Sequence, residues 1–202
     1  AASFAGCSKN DNENDTNVNE DKKTEETKNP NDEVKGLKAY YPLNEVKGSV
    51  KLEDASGNGY DAMIYNKNNM HTDYEDGATF FSDGAYLEMP ADLFRGEDTL
   101  TISVWLKNYS GAVNTSALYF GTGEQMRVND WLLNPSNTSG SLKSVITDED
   151  NKDEPYKTEA GISPSVAGNG TEGPTTGLGW NHYVTIITPS ELTVYFNGEK
   201  VD

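Results

Sequence analysis

"HYVTIITPSELTVYFNGEKV" (residues 182–201) contains two runs, "HYVTIIT" (182–188) and "LTVYFN" (192–197), rich in β-branched and aromatic residues. Such side chains fit the pleated surface of a sheet. The second run ends in Asn197-Gly198, a pair suited to the positive φ angles of a type I′ turn, so "YFNGEKV" reads as a hairpin. An antiparallel sheet is expected here.

The same signature recurs upstream. "LKAYYPL" (37–43), "DAMIY" (61–65), "ATFF" (78–81), "AYLEM" (85–89), "LTISVWLKN" (100–108), "ALYFG" (117–121), "DWLLNP" (130–135) and "LKSVIT" (142–147) read as short strands between Gly/Asn/Asp/Ser turns. In 100–108 the alternation sets Leu100, Ile102, Val104 and Leu106 on one face, with Thr101, Ser103 and Trp105 on the other. Trp180, His182, Val184 and Ile186 share a face in the same way. No segment shows a 3.6-residue period over three turns, so the expected fold class is all-β, an antiparallel β-sandwich. The polar stretch 148–179 is too long for a hairpin loop and is expected to cover a sheet edge or rim a surface site.

Before Gly36 the composition is different. Residues 8–35 hold nine acids, five lysines and no aromatic residue, too little apolar surface to offset the entropy of ordering. They read as a disordered linker. "AASFAGC" (1–7) resembles the end of a bacterial lipoprotein signal peptide, with small residues Ala5 and Gly6 before the cysteine and Phe4 in place of the usual Leu. The resemblance implies a lipid on Cys7 and a membrane anchor on the bacterial cell surface. The other reading of Cys7 is a free thiol in a disordered tail.

The net charge of −17, from 33 acidic and 16 basic residues, excludes a nucleic-acid partner and anionic membrane surfaces. It suits neutral ligands and divalent cations. No apolar run reaches the ~20 residues of a membrane span, which leaves the Cys7 lipid as the sole membrane contact expected. With one cysteine, neither an internal disulfide nor a Cys-rich zinc site can form. The sequons at Asn108, Asn114, Asn137 and Asn169 read as chance in an Asn/Ser-rich chain.

Taken in order, "GLKAYYPLNE", "EDASGNGYDAMI", "GATFFSDGAYLEMP", "DTLTISVWLKN" and "LGWNHYVTIITPSELTVYFNGEKV" resemble the concanavalin A-like, laminin-G-like jelly-roll domain of bacterial extracellular proteins. The resemblance covers about 36–202. It implies a jelly-roll sandwich whose closing strands would follow the Asn-Gly hairpin, beyond Asp202. The segment "ALYFGTGEQMRVNDWLLNPSN" (117–137) looks most like versions of the domain appended to enzymes that cut arabinan and related polysaccharides. The expected organisation is therefore 1–7 signal-peptide end, 8–35 acidic linker and 36–202 jelly-roll domain, acting as a monomer.

"DASGNGYDA" (54–62) lacks both the Lys of a phosphate-binding loop and the closing Glu of an EF-hand. Two readings stay open. Its carboxylates and glycine-freed carbonyls can converge on Ca²⁺, which takes six to eight oxygens. The resemblance implies calcium near this loop, with Asp54 and Asn58 as ligands, Asp61 as a third and Asn44 contributing from the preceding strand end. Alternatively, Asp54 and Ser56 cap a tight turn while Gly57 and Gly59 adopt left-handed conformations.

No strand has two acids at alternate positions, the arrangement by which carboxylates flank a glycosidic bond. The acids Asp148, Glu149, Asp150, Asp153 and Glu154 read as solvated charge, His182 as a packed side chain, and His71 lies far from it in sequence. No catalytic residue is assigned. Sugar-binding surfaces use aromatic platforms with neighbouring amides and carboxylates. Trp131 with Asn129 and Asp130, together with Tyr119 and Tyr156, are the candidates, whereas Trp105 and Trp180 are assigned to the core. The expected function is a non-catalytic carbohydrate-binding or adhesion module of a surface lipoprotein. The alternatives are an accessory domain of a glycoside hydrolase whose catalytic domain lies beyond residue 202, and a structural spacer or protein-interaction domain.

Overall fold

The computed structural model describes residues 34–43, 50–74, 78–82, 84–108, 114–121, 129–137, 140–147, 159–163 and 173–201, and the chain divides into two compact units, Ala1–Arg95 and Gly96–Asp202. The described residues contain β-strands and one 3-10 turn, Lys67–Asn69.

In the first unit, β1 (Lys51–Leu52), β2 (Ala62–Tyr65) and β5 (Tyr86–Glu88) form an antiparallel sheet in the order β1-β2-β5, and β3 (Met70–Tyr74) pairs with β4 (Ala78–Phe81). The alternation of "AMIY" decides which face of β2 is buried: Ala62 and Ile64 are inside, Met63 and Tyr65 outside. Leu52, Ala62 and Ile64 make a small core with Tyr41, Leu43, Phe81, Leu87 and Met89 packed against it.

The expected strand 37–43 does not form. Its backbone is bound to the 54–62 turn instead. The Tyr40 amide donates to Asp54 Oδ1, the Ala55 amide donates to the Tyr40 carbonyl, and Asn58 Nδ2 donates to the carbonyls of Leu37 and Lys38. Short polar side chains offer the backbone these local partners in competition with a ladder.

The second unit holds β6 (Leu100–Asn108), β7 (Leu118–Gly121), β8 (Asp130–Asn134), β9 (Lys143–Thr147), β10 (Ala160–Ile162), β11 (Gly179–Ile187), β12 (Leu192–Phe196) and β13 (Glu199–Val201). They form two four-stranded antiparallel sheets, ordered β10-β9-β8-β7 and β13-β12-β11-β6. Trp131, Leu133, Leu142 and Ile162 meet Tyr183 and Val194 in one core, with Ile102, Val104 and Leu106 packed against it. The unit is thus a β-sandwich. Each large side chain buried in this layer contributes roughly 1.5–3 kcal/mol. A hydrogen bond of 3.2 Å between the hydroxyls of Ser144 and Thr185 crosses from one sheet to the other.

The hairpin read from "YFNGEKV" is present: Asn197 has φ 51° and Gly198 φ 87°, and Phe196 pairs with Glu199 across the two-residue turn. Strands β1, β3 and β10 were not anticipated, whereas β13 is the second arm of the expected hairpin.

Candidate functional site

The 54–62 turn is organised around one carboxylate. Asp54 Oδ1 accepts the amides of Tyr40 and Ser56, both at 2.9 Å, and Oδ2 accepts the Ser56 hydroxyl at 2.8 Å and the Tyr60 amide at 3.1 Å. Asp61 Oδ1 accepts the Asp54 amide at 2.9 Å, while Oδ2 receives the Lys51 ammonium at 2.5 Å. Gly57 and Gly59 have φ of 81° and 84°, a region that costs glycine little. Burial pushes the Asp54 carboxyl up, but the hydrogen bonds from Ser56, Tyr40 and Tyr60 outweigh it and hold the group below the ordinary carboxylate value. The Tyr41 phenol, which donates to the Tyr60 carbonyl, is pushed up to about 12 by burial and by the negative charge of Asp54 and Asp61.

Among the described residues, the candidate calcium donors are engaged in other bonds. Each oxygen of Asp54 and Asp61 already accepts an N–H or O–H donor, and the Lys51 ammonium occupies a position a cation would contest. Asn58 turns its amide nitrogen toward Leu37 and Lys38, at 2.8 and 3.0 Å from their carbonyls. Coordination of calcium here would require displacing these bonds. Asn44 lies outside the described residues, as do Cys7 and Tyr156.

The expected sugar platform separates into two faces. Trp131 is 4% exposed and fills the sandwich, stacked on Phe120 at 5.4 Å and donating from Nε1 to Ser144 Oγ at 3.0 Å. It therefore presents no ring face to solvent, and its place as a platform is corrected to the core. Its sequence neighbour Asp130 points the other way and is bonded by the Tyr119 phenol, whose proton burial and the Asp130 carboxylate retain above the usual pH range. Tyr119 reaches Asp130 by lying over Gly121, where a Cβ would stand 2.7 Å from the phenol oxygen. Asn129 is exposed at the turn into β8, with φ 51°. The structure brings Tyr119 and Asp130 together and parts both from Trp131.

The exposed aromatic surface lies elsewhere. Trp105 and Trp180, expected in the core, are 46% and 39% exposed. The β6–β11 register explains this: Val104 pairs with Tyr183 on the inner face, so Trp105, paired with His182, and Trp180, paired with Lys107, point outward. The indole of Trp105 and the imidazole of His182 are stacked at 4.9 Å, with planes 16° apart. His182 Nε2 also shares a 2.8 Å hydrogen bond with Ser103 Oγ. Tyr195 continues the face through its pairing with Val184. The alternation in 100–108 had already set Trp105 with Thr101 and Ser103; this parity, not aromatic bulk, was the signal that located it.

Neither a protein-family description nor any curated protein matches the chain. Among solved structures it is similar to the crystal structure of residues 221–444 of an S-layer domain-containing protein from Clostridium thermocellum. The two are 22% identical, the match covers 81% of this chain and 70% of that one, and the TM-score is 0.47.

Proposed function

We propose that this protein is a non-catalytic carbohydrate-binding or adhesion module of the bacterial cell surface, with its ligand on the outer face of the β13-β12-β11-β6 sheet. The observation that carries this reading is the pair of exposed indoles, Trp105 and Trp180, held on one face and flanked by His182, Ser103 and Tyr195. Aromatic faces left in water gain by covering the apolar faces of sugar rings, while hydroxyl and imidazole groups beside them bond the sugar hydroxyls. The trapped geometry of Trp105, locked by its stack and by the His182–Ser103 bond, lowers the entropy lost on binding.

The non-catalytic part rests on the acids: no described strand carries two of them at alternate positions. Anchoring through a lipid on Cys7 is the matching proposal for location, and Cys7→Ser expressed with a complete signal peptide should move the protein to the soluble fraction.

Calorimetry against arabinan, xylan, galactan and host glycans, paired with a reducing-sugar assay, tests the function. Binding without sugar release is expected, and Trp105→Ala and Trp180→Ala should each weaken it up to about tenfold, the size of one aromatic stacking contact. Sugar release by this chain, or binding indifferent to both substitutions, would overturn the reading.

A further inference from the structure

The first unit presents an aromatic face of its own. On the outward side of the β1-β2-β5 sheet, Met63 and Tyr65 of β2 and Tyr86 and Glu88 of β5 are all exposed. Their register sets Tyr65 opposite Tyr86 and Met63 opposite Glu88. The two phenol rings stack with centroids 4.7 Å apart and planes 5° from parallel. Because β5 is the last strand in the sheet order, Tyr65 covers one face of the Tyr86 ring and no strand of this sheet covers the other. The Tyr65 phenol bonds to the Glu88 carboxylate, and that bond, with the charge behind it, holds the phenol's proton above the ordinary value of 10.0.

The chemistry of this face is that of a guanidinium binder. An arginine side chain lies flat on an aromatic ring and forks onto a carboxylate, while its methylenes follow apolar surface. Tyr86 offers the ring, Glu88 the carboxylate two residues along the same strand, and Met63 a flexible apolar contact beside Glu88. A carboxylate has about four acceptor positions, so the Tyr65 phenol leaves room for a fork and fixes the group that receives it. Glu88 has no cationic partner among the described residues, and Lys51, the lysine on this side of the sheet, is held 2.5 Å from Asp61. The wider charge agrees: with acids outnumbering basic residues 33 to 16, the chain draws cationic partners toward it.

We propose that this face is a protein-docking site that takes an arginine side chain of a partner, its guanidinium stacked on Tyr86 and paired with Glu88. The site lies in the first unit and does not rest on the sugar reading, which concerns the Trp105 face of the second.

The test uses the full chain and three blocked glycine peptides that differ in one central residue: arginine, lysine or the uncharged isostere citrulline. NMR follows the ring protons of Tyr65 and Tyr86 as each peptide is added. The arginine peptide should shift them and bind about tenfold tighter than the citrulline peptide, the combined size of one stack and one exposed ion pair, with lysine between the two. Glu88→Gln should bring the arginine peptide down to the citrulline level, and Tyr86→Leu should weaken it while the backbone amide signals of β2 and β5 stay in place. Glu191→Gln, which removes an exposed acid of the second unit, should change nothing. No ring shift with the arginine peptide, equal binding of arginine and citrulline, ring shifts caused only by neutral saccharides, or an arginine preference that survives Glu88→Gln overturns the proposal. So does self-association that Glu88→Gln abolishes, since it would seat a second copy of this chain on the face.

Discussion

Trp105 and His182 face each other across the β6–β11 pair with ring centroids 4.9 Å apart and planes within 16° of parallel. The imidazole is neither a core residue nor a free surface group: one side lies on the indole, and Nε2 is engaged by Ser103. Burial against this neighbour holds its pKa below the ordinary 6.5.

A depressed histidine pKa makes a signed prediction. The unfolded chain takes the proton at about 6.5, before the folded one does, so this contribution to stability is complete above that pH. It is lost as the pH falls through 6.5 toward the folded value. Denaturant midpoints should drop between pH 7.5 and 5, and His182→Gln should remove part of that drop. Proton NMR should place the His182 midpoint below 6.5, and Trp105→Ala should move it back up. A midpoint at or above 6.5 in the parent protein would refute the packing argument.

The tryptophans should divide by face. Trp131→Ala opens a cavity between the sheets and removes one of the two hydrogen bonds of the Ser144 hydroxyl, at an expected cost of about 3–5 kcal/mol. Trp105→Ala and Trp180→Ala act on exposed side chains and should change stability by less than about 1 kcal/mol. Urea unfolding of the three variants checks the order. If Trp105→Ala were the most damaging, the β6 register would be wrong.

Much of the sandwich is legible in the sequence because its strands are long enough for parity to show. "LTISVWLKN" gives β6 at its observed bounds, and "NG" gives the turn that joins β12 to β13. The exposed aromatic face was legible too, since Trp105 shares its parity with Thr101 and Ser103, but aromatic bulk suggested the core. Trp131 misleads in the opposite sense. Its polar neighbours Asn129 and Asp130 suggest exposure, whereas in a strand the adjacent residue points to the other face and says nothing of its neighbour's burial. The strand expected at 37–43 failed for another reason: Asp54 and Asn58, distant in sequence, take the hydrogen bonds a sheet partner would have made.

Asp54 should prove structural. Asp54→Ala leaves the buried Ser56 amide, at about 1–3 kcal/mol, and the half-buried amides of Tyr40 and Tyr60 without their acceptor, so a loss on the order of 3 kcal/mol is expected. Because the folded carboxyl titrates below its ordinary value of 3.8, its stabilisation is present above that pH and is lost on acidification through the folded value. Melting in calcium should match melting in chelator, since the oxygens are already bonded. A calcium-dependent rise that disappears in Asp54→Ala would instead establish the metal site.

On the second unit, Lys143 Nζ lies 2.6 Å from Glu159 Oε2, joining β9 to the residue that precedes β10. Both side chains are buried, with 11% and 2% of their surface exposed, and Glu159 Oε1 has no hydrogen-bond partner among the described residues. Removing water from two charges offsets most of their attraction, so the pair adds little net stability, but either charge left alone is costly. Lys143→Met should therefore destabilise by about 3–5 kcal/mol, because the Glu159 carboxylate keeps its burial and loses its cation. Glu159→Gln should cost less, since the neutral amide offers a donor in place of a charge, yet it leaves the ammonium unpaired. The double variant Lys143→Met/Glu159→Gln removes both charges and should recover most of the loss, giving a coupling energy that the two single variants cannot predict by addition. Urea unfolding of all four proteins measures it. Additive losses would mean that the two groups do not interact in solution, and that β10 is held to β9 by its backbone ladder alone.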